Sequence, residues 1–153
     1  MRAVSRALGA AALLLAAALT AAFAAAVLWT VISRYGLGHT PVWAEELPRL
    51  LLVWAAFLGA GAVETRGGHL AAGLTGLIVH SPRALAAIGR LRDLAVTGFA
   101  VLAVWATVDL VAIAGSGTTT ALALPASAFY WSAASGLALI GLAAAARLIS
   151  RDG

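Results

Sequence analysis

Four stretches of the chain stay apolar long enough to cross a membrane, and charge, proline and glycine gather in the short segments between them. The first runs from Ala7 to Ile32; at 1.5 Å per helical residue it can span a hydrocarbon core of ~30 Å with some tilt. Further spans are predicted over Val42 to Val63, Leu94 to Ala114 and Ala126 to Leu148. The second is the least regular. Only Leu50 to Val63 is free of charge, so Arg49 and Glu64 must lie near the hydrocarbon boundary. Thr40 and Pro41 read as a helix cap and first-turn proline, which places Glu45 and Glu46 where the positive helix end favours carboxylates. Pro48 removes an amide donor and is expected to kink the helix.

Between the second and third spans, Leu70 to Val79 is apolar but too short to cross, and it carries Gly73 and Gly76. It is expected to lie at the interface. Ser81 and Pro82 then open an amphipathic stretch in which Leu85, Ile88 and Leu91 share one face while Arg83 and Arg90 recur on another. A helix lying along the membrane surface before it turns inward is the expected picture. The resulting fold class is all-α integral membrane, with four transmembrane helices and an interfacial amphipathic segment between helices 2 and 3, in one membrane domain over residues 1–153. Arg2 and Arg6 followed by alanines and leucines look like the start of a signal peptide, with small residues from Ala22 to Ala26 near a cleavage position. The apolar run continues through Trp29 to Ile32, however, so an uncleaved span is expected.

Composition narrows the function. Of 153 residues 63% are hydrophobic and 10% charged, with mean hydropathy +1.00, far from the roughly quarter charged of a soluble domain. Membrane lipid is therefore the expected surrounding. The ten basic residues are all Arg, against six acids, for a net charge of +4. They lie scattered at helix ends rather than in a patch, so no nucleic-acid role is expected. The absence of Cys excludes disulfides, thiolate metal sites and cysteine catalysis. With both termini on the cytoplasmic side, the inner face would hold Arg2, Arg6, Arg66, Arg83, Arg90, Arg92, Arg147 and Arg151, and the outer face only Arg34 and Arg49. The positive-inside rule favours that orientation, and Trp29, Tyr35, Trp43, Tyr130 and Trp131 then form an outer aromatic belt.

The densest chemistry lies between Arg34 and His69. On one continuous helix, Glu45 or Glu46 would reach Arg49 at spacings of four and three. One reading of this cluster is a solvated helix start that sets topology; the other, preferred here, is an arrangement of the periplasmic side for a partner subunit. Asp109 is the one acid well inside an apolar span. A structural pair with Arg49, or an interface role, is favoured over ion coupling, since it has no polar cage around it, and over snorkelling of the carboxylate towards the membrane surface. Ala55 with Gly59, and Ala56 with Ala60, give small-residue spacing for close helix approach, within the subunit or between subunits. No catalytic triad, P-loop or metal cluster is present, so no enzyme activity and no cofactor are expected. His39, His69 and His80 lie in loops or at helix ends, whereas haem ligation needs two imidazoles facing each other inside the bundle. This disfavours the membrane anchor of a redox enzyme. A four-helix exporter working as a homodimer is disfavoured because the first span carries no charge for proton exchange.

From about Trp29 onward the chain resembles the small membrane subunit, the DctQ-like Q subunit, of TRAP transporters. The first span ends in Arg34 and Tyr35. There follow Trp43-Ala44-Glu45-Glu46, Arg49, Trp54, Phe57-Leu58-Gly59, Arg66 and His69, similar to that family's W-x-E-E, R, W, F-L-G and R-x-x-H order. Thr119 to Pro125 resembles its S-P-A-L-x-L-P element, with Tyr130 following. Thr120 stands where Pro is frequent, and His69 is followed by Leu-Ala-Ala rather than an Ile-x-Val-Asp-like run. The resemblance implies a scaffold subunit of a tripartite, sodium-coupled importer of organic acids in the bacterial inner membrane. Its partners would be a large multi-span M subunit, which carries substrate and sodium, and a periplasmic solute-binding protein.

Overall fold

A computed structural model describes residues 2–65, 81–114 and 116–151. Helix α1 covers Arg2–Gly36, a short 3-10 turn covers Val42–Ala44, α2 covers Glu46–Thr65, α3 covers Pro82–Ala114 and α4 covers Ser127–Arg151. Among the described residues no strand occurs, and the four helices are each long and apolar enough to cross a membrane.

The ends of these helices follow from local chemistry, in two places differently from the sequence expectation. Helix α1 stops where Gly38, at φ +70, turns the chain so that the amides of Leu37 and His39 both reach the Ser33 carbonyl at 3.2 Å. The second span does not run as one helix from Pro41. The Ala44 amide donates to the Pro41 carbonyl at 3.1 Å in a 3-10 turn, and α2 begins only at Glu46. Pro48 therefore falls in the first turn of α2, where its missing amide has no helical acceptor to lose, so it starts the helix rather than kinking it.

Helix α3 is the second departure. Pro82 opens it as the Ser81-Pro82 pair predicts, but it then runs unbroken for 33 residues. The arginine-bearing stretch from Arg83 to Arg92 is the foot of the third span and not a separate surface helix. No proline interrupts it, and strong helix formers such as Ala, Leu and Arg dominate, so nothing breaks the hydrogen-bond ladder there. At 1.5 Å per residue α3 is ~50 Å long, more than a ~30 Å core requires. The predicted interfacial segment Leu70 to Val79 lies outside the described residues.

The helices form a chain of neighbours that does not follow their order in sequence. Helix α2 packs on α1 and on α4, and α3 packs on α4. Hydrocarbon is as apolar as leucine, so in lipid this packing must rest on close backbone approach and hydrogen bonds rather than on excluding water. The buried apolar residues accordingly are nearly all alanine: Ala12, Ala16 and Ala26 on α1, Ala55 and Ala62 on α2, Ala100 on α3, and Ala134, Ala143 and Ala144 on α4. Helices α2 and α4 cross so closely that a Cβ on Gly136 would collide with the Phe57 backbone.

Candidate functional site

The polar contacts between helices gather at the two ends of the bundle, and a glutamate of α2 organises each. Glu46 and Glu64 are separated by five helical turns, so they share one face of α2 with ~27 Å between them.

At the Glu46 end, residues 117–126 form a tight hairpin-like loop. The Thr119 amide donates to the Leu124 carbonyl at 2.8 Å and the Ala126 amide to the Gly117 carbonyl at 2.7 Å. Thr118 and Pro125 pair across it. The Thr119 hydroxyl accepts from the Leu124 amide at 3.1 Å, and Ala123 takes a left-handed φ of 52. The turn leaves two amides at its tip, and Glu46 takes both: Ala121 donates to Oε1 at 3.0 Å and Leu122 to Oε2 at 2.9 Å. A carboxylate accepting two backbone donors makes a charge-assisted fork that fixes the loop's position as well as its energy. Two turns further on, Trp54 Nε1 donates to the Ala128 carbonyl at 3.0 Å, tying the same face of α2 to the first turn of α4.

At the opposite end, three helices meet in a buried charge cluster. The Asp93 residue of α3 is 0% exposed and the Glu64 residue of α2 is 1% exposed. Arg147 of α4 lies between them. Its Nη2 donates to Glu64 Oε1, its Nη1 to the Glu64 carbonyl at 2.9 Å, and its Nε to Asp93 Oδ1 at 3.3 Å. Arg92 joins the group, with Nη2 2.8 Å from Asp93 Oδ1. Carboxylates and guanidinia thus offset one another here, as burying ions requires. Residues 64 and 147 close the α2–α4 pair; residues 93 and 147 close α3–α4.

The sequence reading did not find this cluster, because it treated Arg92 and Arg147 only as orientation signals. The available signal was the helical phase of Glu64 with Glu46, together with an acid and an arginine, Asp93 and Arg147, at the same membrane edge.

The Glu46 joint brings together two elements far apart in sequence, the Trp43-to-Arg49 stretch and the Thr119-to-Pro125 loop. Residues 23–152 match the family described as Tripartite ATP-independent periplasmic transporters, DctQ component. The chain belongs to that family. No curated protein matches it in sequence. In this DctQ component the second glutamate of Trp43-Ala44-Glu45-Glu46 is the one that grips the Thr119–Pro125 element, while Glu45 precedes α2 and is exposed.

The remaining residues singled out from sequence divide clearly. Gly59 faces α1, where a Cβ would lie 3.7 Å from Ala16 Cβ, so its small size serves packing within the subunit. Arg34 and Tyr35 are exposed beside each other, the guanidinium 6.0 Å from the ring centroid. Trp43 is half-buried. Arg66 and His69 lie outside the described residues.

The expected pairing of Arg49 is not formed. Glu46 is occupied by the loop, Glu45 sits before the helix begins, and Arg49 is exposed on α2 with no ion pair among the described residues. Asp109 does not reach it, because α4 stands between α2 and α3, and Asp109 is itself exposed.

Proposed function

We propose that the chain is the fixed membrane scaffold of a tripartite, sodium-coupled secondary transporter that imports an organic acid. It works with a large M permease subunit and a periplasmic solute-binding protein in the bacterial inner membrane, with both its termini in the cytoplasm. Membership of the DctQ family supports the partners. The observation that carries the scaffold role is where the polar groups lie. The joints of Glu46 and of Glu64, Asp93 and Arg147 sit at the two ends, and the helix centres are closed by alanine and glycine. Thr20, Thr30, Thr97 and Thr107 each donate to the carbonyl four residues earlier in their own helix. A secondary-transport site needs convergent polar groups or broken helices near the midplane to replace an ion's hydration shell, and the described residues offer neither. A subunit pinned at both ends and closed between them by small apolar residues suits a body against which another moves.

Proteoliposomes test this directly. The purified subunit alone is expected to move no organic acid under an inward sodium gradient, and uptake should appear only when the large subunit and the binding protein are added. Sodium-driven uptake by this chain alone would overturn the scaffold role.

A further inference from the structure

The outward face of α3 carries features that packing inside this chain leaves unexplained. Helix α3 meets α4 along Asp93, Ala100 and Thr107, its buried residues. At ~100° per residue, Asp109 stands ~180° round the helix from Ala100, pointing away from the rest of the chain. It is exposed, and its carboxylate meets no ion-pair or hydrogen-bond partner among the described residues. Measured along the helix it lies ~24 Å from the Asp93 cluster at the other end, still within a core of ~30 Å. Charged side chains at such depth face protein or water rather than lipid, because hydrocarbon cannot solvate them.

Gly98 lies on the same stripe, and a Cβ added there would meet nothing within 4 Å. A glycine inside a helix weakens it, and this one relieves no crowding within the subunit. Small residues on an open membrane-helix face are what close approach by another helix requires. Leu102, Trp105 and Ile113 complete the stripe, at 64%, 65% and 79% exposure. On its flank, an apolar groove of about 560 Å³ between α3 and α4 is walled by Val101, Val104, Trp105, Leu137 and Leu142.

We infer that this face of α3 is the docking surface for a transmembrane helix of the large subunit. That helix carries an arginine or lysine at the depth of Asp109, crosses α3 closely at Gly98, and fills the groove with apolar side chains. The charge decides the occupant: neither a lipid acyl chain nor the Gly98-to-Ile113 stripe of a second copy supplies a cation there. The inference rests on the scaffold reading and names the face that reading requires.

The test uses the co-expressed, detergent-extracted complex, with the tag on this chain. Photoreactive benzophenone side chains replacing Leu102 or Ile113 are expected to crosslink to the large subunit. Gly98→Leu and Asp109→Lys are expected to reduce the large subunit retained by roughly tenfold or more, the effect of ~1.4 kcal/mol in binding. Gly98→Leu should leave thermal unfolding of the isolated subunit unchanged, which separates lost docking from lost folding.

Two outcomes overturn the docking face while leaving the scaffold role intact. One is a wild-type complex with no crosslink from either position to the large subunit, including one in which crosslinks join only two copies of this chain or lipid. The other is full retention in both variants. Failure of the wild-type subunit to retain any large subunit would instead remove the scaffold reading itself.

Discussion

Arg147 is the residue on which three helices converge, and its worth depends on what its removal leaves behind. With Arg147 replaced by Met, Glu64 and Asp93 keep their charges in a buried setting and lose the guanidinium that bridges them. Breaking a buried pair from one side costs ~3 to 5 kcal/mol, whereas removing both partners together is often nearly neutral. Arg147→Met is therefore expected to lower the thermal unfolding temperature of the detergent-solubilised subunit markedly. Adding Glu64→Met, which leaves Asp93 with Arg92, should recover most of the loss. A double variant no more stable than Arg147→Met would refute the pairing. Arg49 provides the contrast, since it is exposed and unpaired among the described residues; Arg49→Ala should leave the isolated subunit unchanged in the same assay.

These two arginines also mark what sequence could and could not disclose. Glu46 was legible as important from its place in the Trp43-to-Glu46 motif, but not its partner, because the amides of Ala121 and Leu122 become free donors only once the loop has turned. Spacing in sequence suggested Glu45 and Glu46 for Arg49. That inference fails because α2 starts one residue too late for Glu45 and the loop claims Glu46.

Among the elements, helix α2 owes its central place to glycine and alanine. Gly61 faces Leu139, where a Cβ would lie 2.9 Å from the leucine Cβ, and Gly136 accepts the Phe57 backbone almost in contact. Overpacking such a crossing typically costs ~1 to 3 kcal/mol. Gly136→Ala should therefore destabilise the isolated subunit, while Gly98→Ala, on an open face, should not. Equal losses from the two substitutions would contradict the assigned packing. Hydropathy made the four spans legible, since length and charge-free runs fix which segments cross. The neighbour order, α1 to α2 to α4 to α3, was not legible. Alanine is distributed round every helix, so no apolar stripe distinguishes a face that meets protein from one that meets lipid. Only the glycine contacts and the charge partners make that distinction, and both depend on the fold.

For the whole molecule, the remaining question of mechanism is which joint faces which compartment. The Glu64, Asp93 and Arg147 cluster lies at the membrane edge where Arg83, Arg90 and Arg92 also gather, and the Glu46 loop lies at the edge that holds Arg34 and Arg49. Orientation is governed by Lys and Arg near the ends of the spans, with acids contributing little, so burying Arg147 against two carboxylates does not cancel its signal. In the orientation proposed from the arginine asymmetry, the Arg147 edge would face the cytoplasm and the loop gripped by Glu46 the periplasm, on the side from which a solute-binding protein would approach. Because the chain has no Cys, single cysteines report topology without background. His39→Cys and Thr118→Cys are expected to react with a membrane-impermeant maleimide in cells whose outer membrane alone is permeable, and Ser81→Cys only after the inner membrane is opened. The reverse pattern would invert the subunit. It would put the Glu46 loop on the cytoplasmic side, out of reach of any periplasmic protein, and leave that joint a purely structural clasp.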